Sequence, residues 1–370
     1  MPSGTALDRS LLLCVCALMG IGLVLVYSAS FIFASEKFGD GLHFFKRQLI
    51  FVCLALVALA VTSRFPYIYF KKYFWFFFAG LIVILAAVFV PGLGHRVGGA
   101  TRWINLPFGF HIEPGEIAKL MSAVTFAYLL NYEKNETNRS RIWLIGALTV
   151  LLPVAFLLKQ PDFGSSVIFF LIGLSMLFCF GLPWRYLFSA LIISIPLFYV
   201  FVMRVGYRRQ RVLAFLNPWA DPSNSGFQVI QSLLSFHAGG LFGTGLGKGQ
   251  AKLFFLPEAH TDFILSVLGE ETGFVGLAFV LLLFAWLVLR GVQIAVRCSE
   301  PFGRCLAIGL SCLIGFQVVI NAGVAMGLLP TKGLTMPFLS YGGSSLIAVS
   351  IACGILINIH NSANVLRENA

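Results

Sequence analysis

The sequence predicts an all-α polytopic membrane protein with about ten transmembrane helices and one large extracytoplasmic loop between helices 7 and 8. Hydrophobic residues make up 58% of the 370 residues, charged residues make up 11%, and the mean hydropathy is +0.89. Apolar runs with almost no charge recur along the chain, each close to the ~20 residues that a membrane helix needs. We therefore expect residues 1–370 to form a single integral membrane domain.

The apolar runs define ten predicted spans. In chain order they are 10–33, 47–63, 73–91, 116–132, 142–159, 163–182, 186–206, 262–290, 303–328 and 343–362. The first run is too long for the apolar region of a signal peptide, and another run follows it at once. An even number of spans places both termini on one side. The short loops on the side of the termini contain more Lys and Arg than the short loops on the other side, which favours cytoplasmic termini. This excess disappears if the basic residues of the long loop are counted as outside.

The net charge of +11 does not indicate a nucleic-acid-binding protein, because the basic residues are spread through the loops. That distribution is typical of membrane proteins, in which basic residues set orientation and contact lipid phosphates. The eight cysteines lack metal-site spacing, and most lie in apolar runs. We expect neither a disulfide framework nor a zinc site.

The long outer loop covers about residues 207–261. It opens with YRRQRVLAFLNP, in which Arg208, Arg209 and Arg211 precede apolar residues. This pattern predicts a short helix at the membrane surface, and headgroup anchoring is the alternative to a ligand-binding role. The later segment GGLFGTGLGKGQAK carries Lys248 but lacks the residues of a phosphate-binding Walker A loop. Its glycines are expected to let the chain fold tightly against the membrane surface.

The densest group of charges beside apolar sequence lies at residues 254–273, FFLPEAHTDFILSVLGEETG, where the eighth predicted span begins. Its charged and titratable members are Glu258, His260, Asp262, Glu270 and Glu271. Charge near hydrocarbon is costly and commonly marks function. Asp262 is the main catalytic candidate, because a partly dry groove would raise its pKa from about 3.9 towards that of a general base. The alternative is that Asp262 or Thr261 caps the helix.

Other polar residues lie near predicted helix ends. Glu270 and Glu271 are about 12 Å further along the helix, at 1.5 Å per residue, and either face the interior or pair with basic residues. Glu116 and Lys119 are three positions apart, a spacing that allows an ion pair, which either supports the fold or lines a polar cavity. Asp162 is expected to cap the sixth span.

The last outer loop, MGLLPTKGLTMPFLSYGGSS, contains prolines and glycines that keep the backbone non-helical near membrane depth. Such backbone is tolerated there only where it is buried in protein or lines a cavity. Lys332 in this loop is a candidate phosphate ligand.

Together these motifs resemble the SEDS family (shape, elongation, division and sporulation), the FtsW/RodA proteins. The matching segments are YSAS (27–30), GATRWINL (99–106), EPGEIAKL (113–120), QPDFGSS (160–166), YRRQRVLAFLNP (207–218), GFQVIQS (226–232), LPEAHTDFILSVLGEETG (256–273) and LPTKGLTMPFLSYGGSSL (329–346). The last of these resembles the division branch, FtsW, more than the RodA branch. The sequence departs from the family's pattern at Gly115 of the EPGE motif, a position at which the family usually has serine.

The resemblance implies a ten-helix peptidoglycan glycosyltransferase that polymerises lipid II at the outer face of the bacterial cytoplasmic membrane, for septal wall synthesis. It implies an inverting transfer that releases undecaprenyl pyrophosphate, with Asp262 as the essential aspartate. The implied partners are a class B penicillin-binding transpeptidase and other divisome proteins. The alternatives are a lipid II flippase, an elongation (RodA-type) polymerase and a non-catalytic scaffold.

The candidate substrate-binding residues are cations that could neutralise a pyrophosphate and polar groups near the predicted site. They are Arg102, Glu116, Lys119, Arg208, Arg209, Arg211, Lys248, His260, Lys332 and Ser340. No cofactor is firmly indicated, although a divalent cation could share the neutralisation.

Overall fold

The computed structural model describes residues 8–97, 100–105, 111–132, 139–181, 183–185, 188–189, 192, 196, 199–224, 226–250, 252, 256–331 and 333–368. Twelve α-helices have their bounds within these described residues. They are α1 (Arg9–Phe38), α2 (His43–Arg64), α3 (Ile68–Lys72), α4 (Phe74–Ala87), α5 (Pro114–Tyr132), α6 (Arg139–Lys159), α7 (Phe163–Cys179), α8 (Gly206–Leu216), α9 (Phe227–Gly239), α10 (Ile264–Arg297), α11 (Pro301–Ala325) and α12 (Gly343–Glu368).

The predicted helical membrane fold is confirmed. By length and composition, α1, α2, α10, α11 and the part of α12 at Gly343–Ala363 can each cross a membrane, and α4, α6 and α7 contribute shorter apolar helices. Nine of the ten predicted spans coincide with helices of the structure. Nine of the 21 residues of the seventh, 186–206, lie outside the described residues, and Tyr199–Met203 in its last part form a π-helix. The amphipathic segment predicted at the start of the long loop is α8.

A small antiparallel sheet, which the hydropathy pattern did not predict, precedes α5. Its strands are β1 (Gly94–Val97), β2 (Ala100–Asn105) and β3 (His111–Ile112), in the order β1-β2-β3. In the register of this sheet, Val97 of β1 pairs with Ala100 of β2, and Ile104 of β2 pairs with Ile112 of β3. The sheet matters for the site because β2 carries Arg102.

The eighth predicted span is not one continuous helix. Within α10, Gly273 has a non-helical backbone with φ 68° and ψ −168°, a conformation that favours glycine. A Cβ at this position would also collide with the backbone around Gly243. The glycine-rich loop therefore folds tightly, as predicted, but against this break in α10, where the Thr244 and Gly245 amides donate to the carbonyls of Glu270 and Glu271.

Helix α11 lies at the centre of the bundle, where it packs against α5, α7 and α10, and α12 packs along α2. Polar side chains join these helices at several depths. Asn358 of α12, for example, donates to the Ser63 carbonyl at 3.0 Å and accepts from the Tyr67 amide at 2.9 Å. This packing fixes the frame on which the outer loops rest.

Candidate active site

A cavity of about 110 Å³ lies between β2, the start of α7, α8 and the last outer loop. It is lined by Arg102, Pro161, Asp162, Phe163, Gly164, Val202, Arg208, Arg211, Val212, Pro330, Thr331 and Gly333. Three of the predicted phosphate-binding cations therefore share one cavity, although they come from β2 and α8, which are far apart in the sequence.

The three guanidinium groups are oriented by the cavity walls. Arg102 donates to the carbonyl of Pro161, and Arg211 donates to the carbonyl of Thr331 at 3.3 Å. The guanidinium of Arg208 lies 5.3 Å from the centroid of the Phe163 ring, a cation–π geometry. A guanidinium has five N–H donors in a planar fork, which matches the geometry of phosphate oxygens. The arrangement is suited to binding an anion with several oxygens.

The Asp262 side chain is half-buried beside this cavity. A Cβ placed on Gly333, a cavity-wall residue, would lie 3.2 Å from Oδ2 of Asp262. The backbone is held from two sides: Asn321 donates to the Asp262 carbonyl at 3.0 Å, and the Ser340 hydroxyl donates to the Thr261 carbonyl. These bonds fix the backbone of the turn that places the carboxylate near Arg211 and Arg102.

Burial and the neighbouring Glu258 carboxylate raise the pKa of Asp262 to about 7, against the opposing effect of the Arg211 and Arg102 charges. A carboxyl group with this pKa accepts a proton effectively near neutral pH. The sequence-based expectation of a pKa raised towards neutrality agrees with this environment.

The alternative that Asp262 or Thr261 caps the helix is wrong. Helix α10 begins at Ile264, its N-cap position is Phe263, and no side chain caps it. The Thr261 hydroxyl instead contacts Oε2 of Glu258 at 2.9 Å. Local cap preference is overridden here by the tertiary hydrogen bonds that hold the backbone of this turn.

Four of the other candidates occupy different surroundings. Ser340 is buried and also accepts from the Met336 amide at 2.8 Å, so it shapes the loop behind Asp262. His260 packs among aromatic rings, with the Phe44 centroid at 4.7 Å, and burial lowers its pKa. Arg209 and Lys248 are exposed and do not line the cavity. Lys332 lies outside the described residues.

Glu116 and Lys119 form the predicted ion pair. Their side chains are 4% and 1% exposed, with Nζ to Oε1 at 2.7 Å, and Gln317 donates to the other Glu116 oxygen at 3.3 Å. Neither residue lines the cavity described above. The pair therefore joins α5 to α11 in the interior of the bundle.

Asp162 caps α7 as predicted, accepting from the Ser165 amide at 3.1 Å, and it also lines the cavity. A Cβ at position 115 would collide with the Asp162 carboxylate. Gly115, the departure noted in the EPGE motif, therefore accommodates Asp162.

Glu113 of the same motif was not a predicted site residue. Burial and the charges of Glu116 and Asp162 raise its pKa to about 8.

Glu270 and Glu271 are both buried, and Glu271 also pairs with a basic residue, so both expectations hold for Glu271 and the first holds for Glu270. Glu271 accepts from Lys252 at 2.8 Å and from the Ser28 hydroxyl at 2.6 Å. Glu270 accepts from the Gln250 amide at 2.7 Å. Both glutamates thus bind the glycine-rich segment to α10.

Known proteins match this chain along nearly its whole length. The family model FTSW_RODA_SPOVE, described as "Cell cycle protein", matches residues 8–365. A protein of Geobacter metallireducens named "Probable peptidoglycan glycosyltransferase FtsW" is 47% identical over 354 residues, covering 95% of this chain and 94% of the relative. A protein of the same name from Aliivibrio salmonicida is 42% identical over 369 residues, covering 98% and 91%.

Solved structures match as well. A chain from work described as "Structural coordination of polymerization and crosslinking by a peptidoglycan synthase complex" aligns with a TM-score of 0.78 at 31% identity, covering 97% of this chain and 98% of that one. The rod shape determining protein RodA of Thermus thermophilus aligns with a TM-score of 0.71 at 28% identity, covering 97% and 98%.

Proposed function

The chain belongs to the FtsW/RodA/SpoVE family, whose model matches residues 8–365, and we propose that it is a peptidoglycan glycosyltransferase that polymerises lipid II with Asp262 as its general base. The observation that carries the assignment of the base is the half-buried Asp262 carboxyl group beside a cavity lined by three arginines. A polymerase of pyrophosphate-linked sugars needs both parts: a proton acceptor and a site for the pyrophosphate.

In the proposed reaction, the Asp262 carboxylate takes the proton of the 4-hydroxyl group of one lipid II. That oxygen attacks the anomeric carbon of the growing chain, and the bond from this carbon to the pyrophosphate breaks. Undecaprenyl pyrophosphate leaves, and an α linkage becomes a β-1,4 bond. Inverting glycosidases use an acid as well as a base. Here the leaving group is a stable anion, so a single carboxylate suffices.

Arg102, Arg208 and Arg211 are proposed to bind the pyrophosphate, because hydrogen bonds between guanidinium and phosphate are strong and directional. Their charge stabilises the leaving group as the bond breaks. Lipid II flipping receives less support, because Glu116 and Lys119 bind each other, and Gln317 binds Glu116, instead of lining this cavity.

The protein is a multi-pass inner-membrane protein, and we propose that both termini are cytoplasmic and that it acts at the division septum. The FtsW names of its relatives support the division role over elongation. A class B penicillin-binding transpeptidase is the proposed partner, because a structural neighbour belongs to a synthase complex that couples polymerisation with crosslinking. Other divisome proteins are proposed as further partners.

The proposed base predicts the pH dependence of the reaction. Only the ionised Asp262 carboxylate accepts a proton, and its pKa is raised to about 7. We therefore expect kcat/KM for lipid II to be constant above about pH 7 and to fall about tenfold per pH unit below it. Steady-state rates of the purified protein between pH 5 and 9 check this, and a rate that stays level down to about pH 5 would reject Asp262 as the base.

Replacing Arg211 by glutamine tests the pyrophosphate site. Hydrogen bonds to charged groups contribute about 1.5–3 kcal/mol, so kcat/KM should fall about 10–100-fold. Arg204→Gln is the matched control, because Arg204 is an exposed arginine just before α8 that does not line the cavity. Equal rates for the two variants would contradict the proposed role of the cavity.

A further inference from the structure

A second buried ion pair, in addition to Glu116–Lys119, joins Lys252 and Glu271. The side chain of Glu271 is 0% exposed and that of Lys252 is 6% exposed, with 2.8 Å between nitrogen and oxygen. The Ser28 hydroxyl of α1 completes the cluster, at 2.6 Å from the same Glu271 oxygen and 3.1 Å from Lys252 Nζ. Three distant parts of the chain thus meet at one buried charge pair.

Glu271 lies near the end of a helical segment that is separated from the rest of α10 by a break. Residues 264–272 form the first part of α10, and Gly273 then departs from helical geometry. A glycine in this conformation can act as a hinge, because no Cβ restricts its backbone. The direction of segment 264–272 therefore depends on its contacts with neighbouring elements in addition to its connection with the rest of α10.

These side contacts occur at both ends of the segment and in its middle. At the far end are Lys252 and Ser28 on Glu271. In the middle, the Ser266 hydroxyl lies 2.6 Å from that of Ser232. At the near end, Asn321 donates to the carbonyl of Asp262, two residues before the segment begins.

We propose that Lys252, Glu271 and Ser28 are positioning residues that fix segment 264–272 and so hold the Asp262 carboxylate against the arginine-lined cavity. This inference rests on the proposed role of Asp262 as the general base. Glu271 is about 10 Å along the helix from the start of the segment, at 1.5 Å per residue. A short rigid helix transmits a tilt at one end to the other, and a misplacement of about 1 Å can cost about 100-fold in rate.

The effect on Asp262 can be measured through its ionisation. Burial is the main cause of its raised pKa, and the charged groups that face it are Glu258 on the same turn, Arg211 of α8 and Arg102 of β2. If the segment loosens, water reaches the carboxyl group and the pKa falls towards its ordinary value. A change confined to global stability would leave this pKa unchanged in the folded protein.

The test compares the Lys252→Met, Glu271→Gln and combined variants with Lys46→Met. Lys46 pairs with Asp40 at the same 2.8 Å, but the two side chains are 62% and 43% exposed, so it is the matched control. We expect kcat for lipid II to fall about 10–100-fold, KM to change less than about twofold, and the acidic limb of kcat/KM to move down by about one pH unit. Lys46→Met should match the wild type in all three.

If a single substitution prevents folding, the combined variant is still expected to fold, because it removes both charges and leaves no unpaired charge in the interior. The test can then be made on that variant. Wild-type kcat and an unshifted acidic limb in a folded combined variant would overturn the positioning role, and so would a lower melting temperature with unchanged kinetics. Assaying Asp262→Asn in parallel separates the two proposals. If that variant is active, the base assignment fails; if it is inactive while the pair variants keep wild-type kinetics, only this inference fails.

Discussion

Replacing Asp262 by asparagine is expected to abolish lipid II polymerisation while the protein still folds, reaches the membrane and binds lipid II. Asparagine keeps the size of the side chain but cannot accept the proton, and general-base catalysis supplies about 10²–10⁴-fold in rate. No helix cap is lost, because no side chain caps α10. The arginines of the cavity are unchanged, so affinity for the pyrophosphate is retained.

The measurement is the rate of glycan formation by purified protein, together with membrane abundance and binding of lipid II. Asp40→Asn is the matched control, because Asp40 is an exposed carboxylate paired with Lys46 on the surface. Polymerisation by Asp262→Asn within a few-fold of wild type would reject the assignment. Loss of the protein from the membrane would contradict the expectation that Asp262→Asn leaves the fold intact.

Breaking the Glu116–Lys119 pair is expected to have the largest effect on stability. Lys119→Met leaves the Glu116 carboxylate buried with Gln317 as its remaining neutral partner. Removing one member of a buried pair typically costs about 3–5 kcal/mol. Glu116→Gln should likewise lower the melting temperature and the protein level, and the charge-swapped double variant should recover part of the loss.

The exposed Lys46–Asp40 pair provides the comparison, since exposed pairs contribute about 0–1 kcal/mol. Thermal unfolding in detergent of both sets of single and double variants yields the two coupling energies. If Lys119→Met and Glu116→Gln unfold at the wild-type temperature and polymerise normally, the pair supports neither the fold nor the reaction.

The features that could be predicted from sequence are those set by local chemistry. Apolar runs locate most of the membrane helices because burial in lipid depends on composition over about 20 residues. The Glu116–Lys119 pair and the Asp162 cap follow from spacings of three residues within one helix. The amphipathic α8 is likewise encoded in a single short segment.

The features that could not be predicted depend on contacts between distant segments. The break at Gly273 lies within a run of residues that otherwise form a helix. The non-helical backbone conformation of Gly273 is stabilised because the glycine-rich loop packs against it. The three cavity arginines come from a strand and a helix whose approach no local pattern reveals. The preference of Asp and Thr for N-cap positions predicts that Asp262 or Thr261 caps α10. In the structure, hydrogen bonds from Asn321 and Ser340 hold this turn in a conformation in which neither residue is the cap.

We expect this chain to polymerise lipid II by itself, and the most direct test is the product that the purified protein makes from lipid II alone. The products should be glycan strands and undecaprenyl pyrophosphate, and both should be lost in Asp262→Asn. Movement of lipid II across vesicle membranes without strand formation would instead identify a flippase. The absence of both strand formation and lipid II movement would identify a non-catalytic scaffold. Either result would contradict the proposal that this chain is the polymerase.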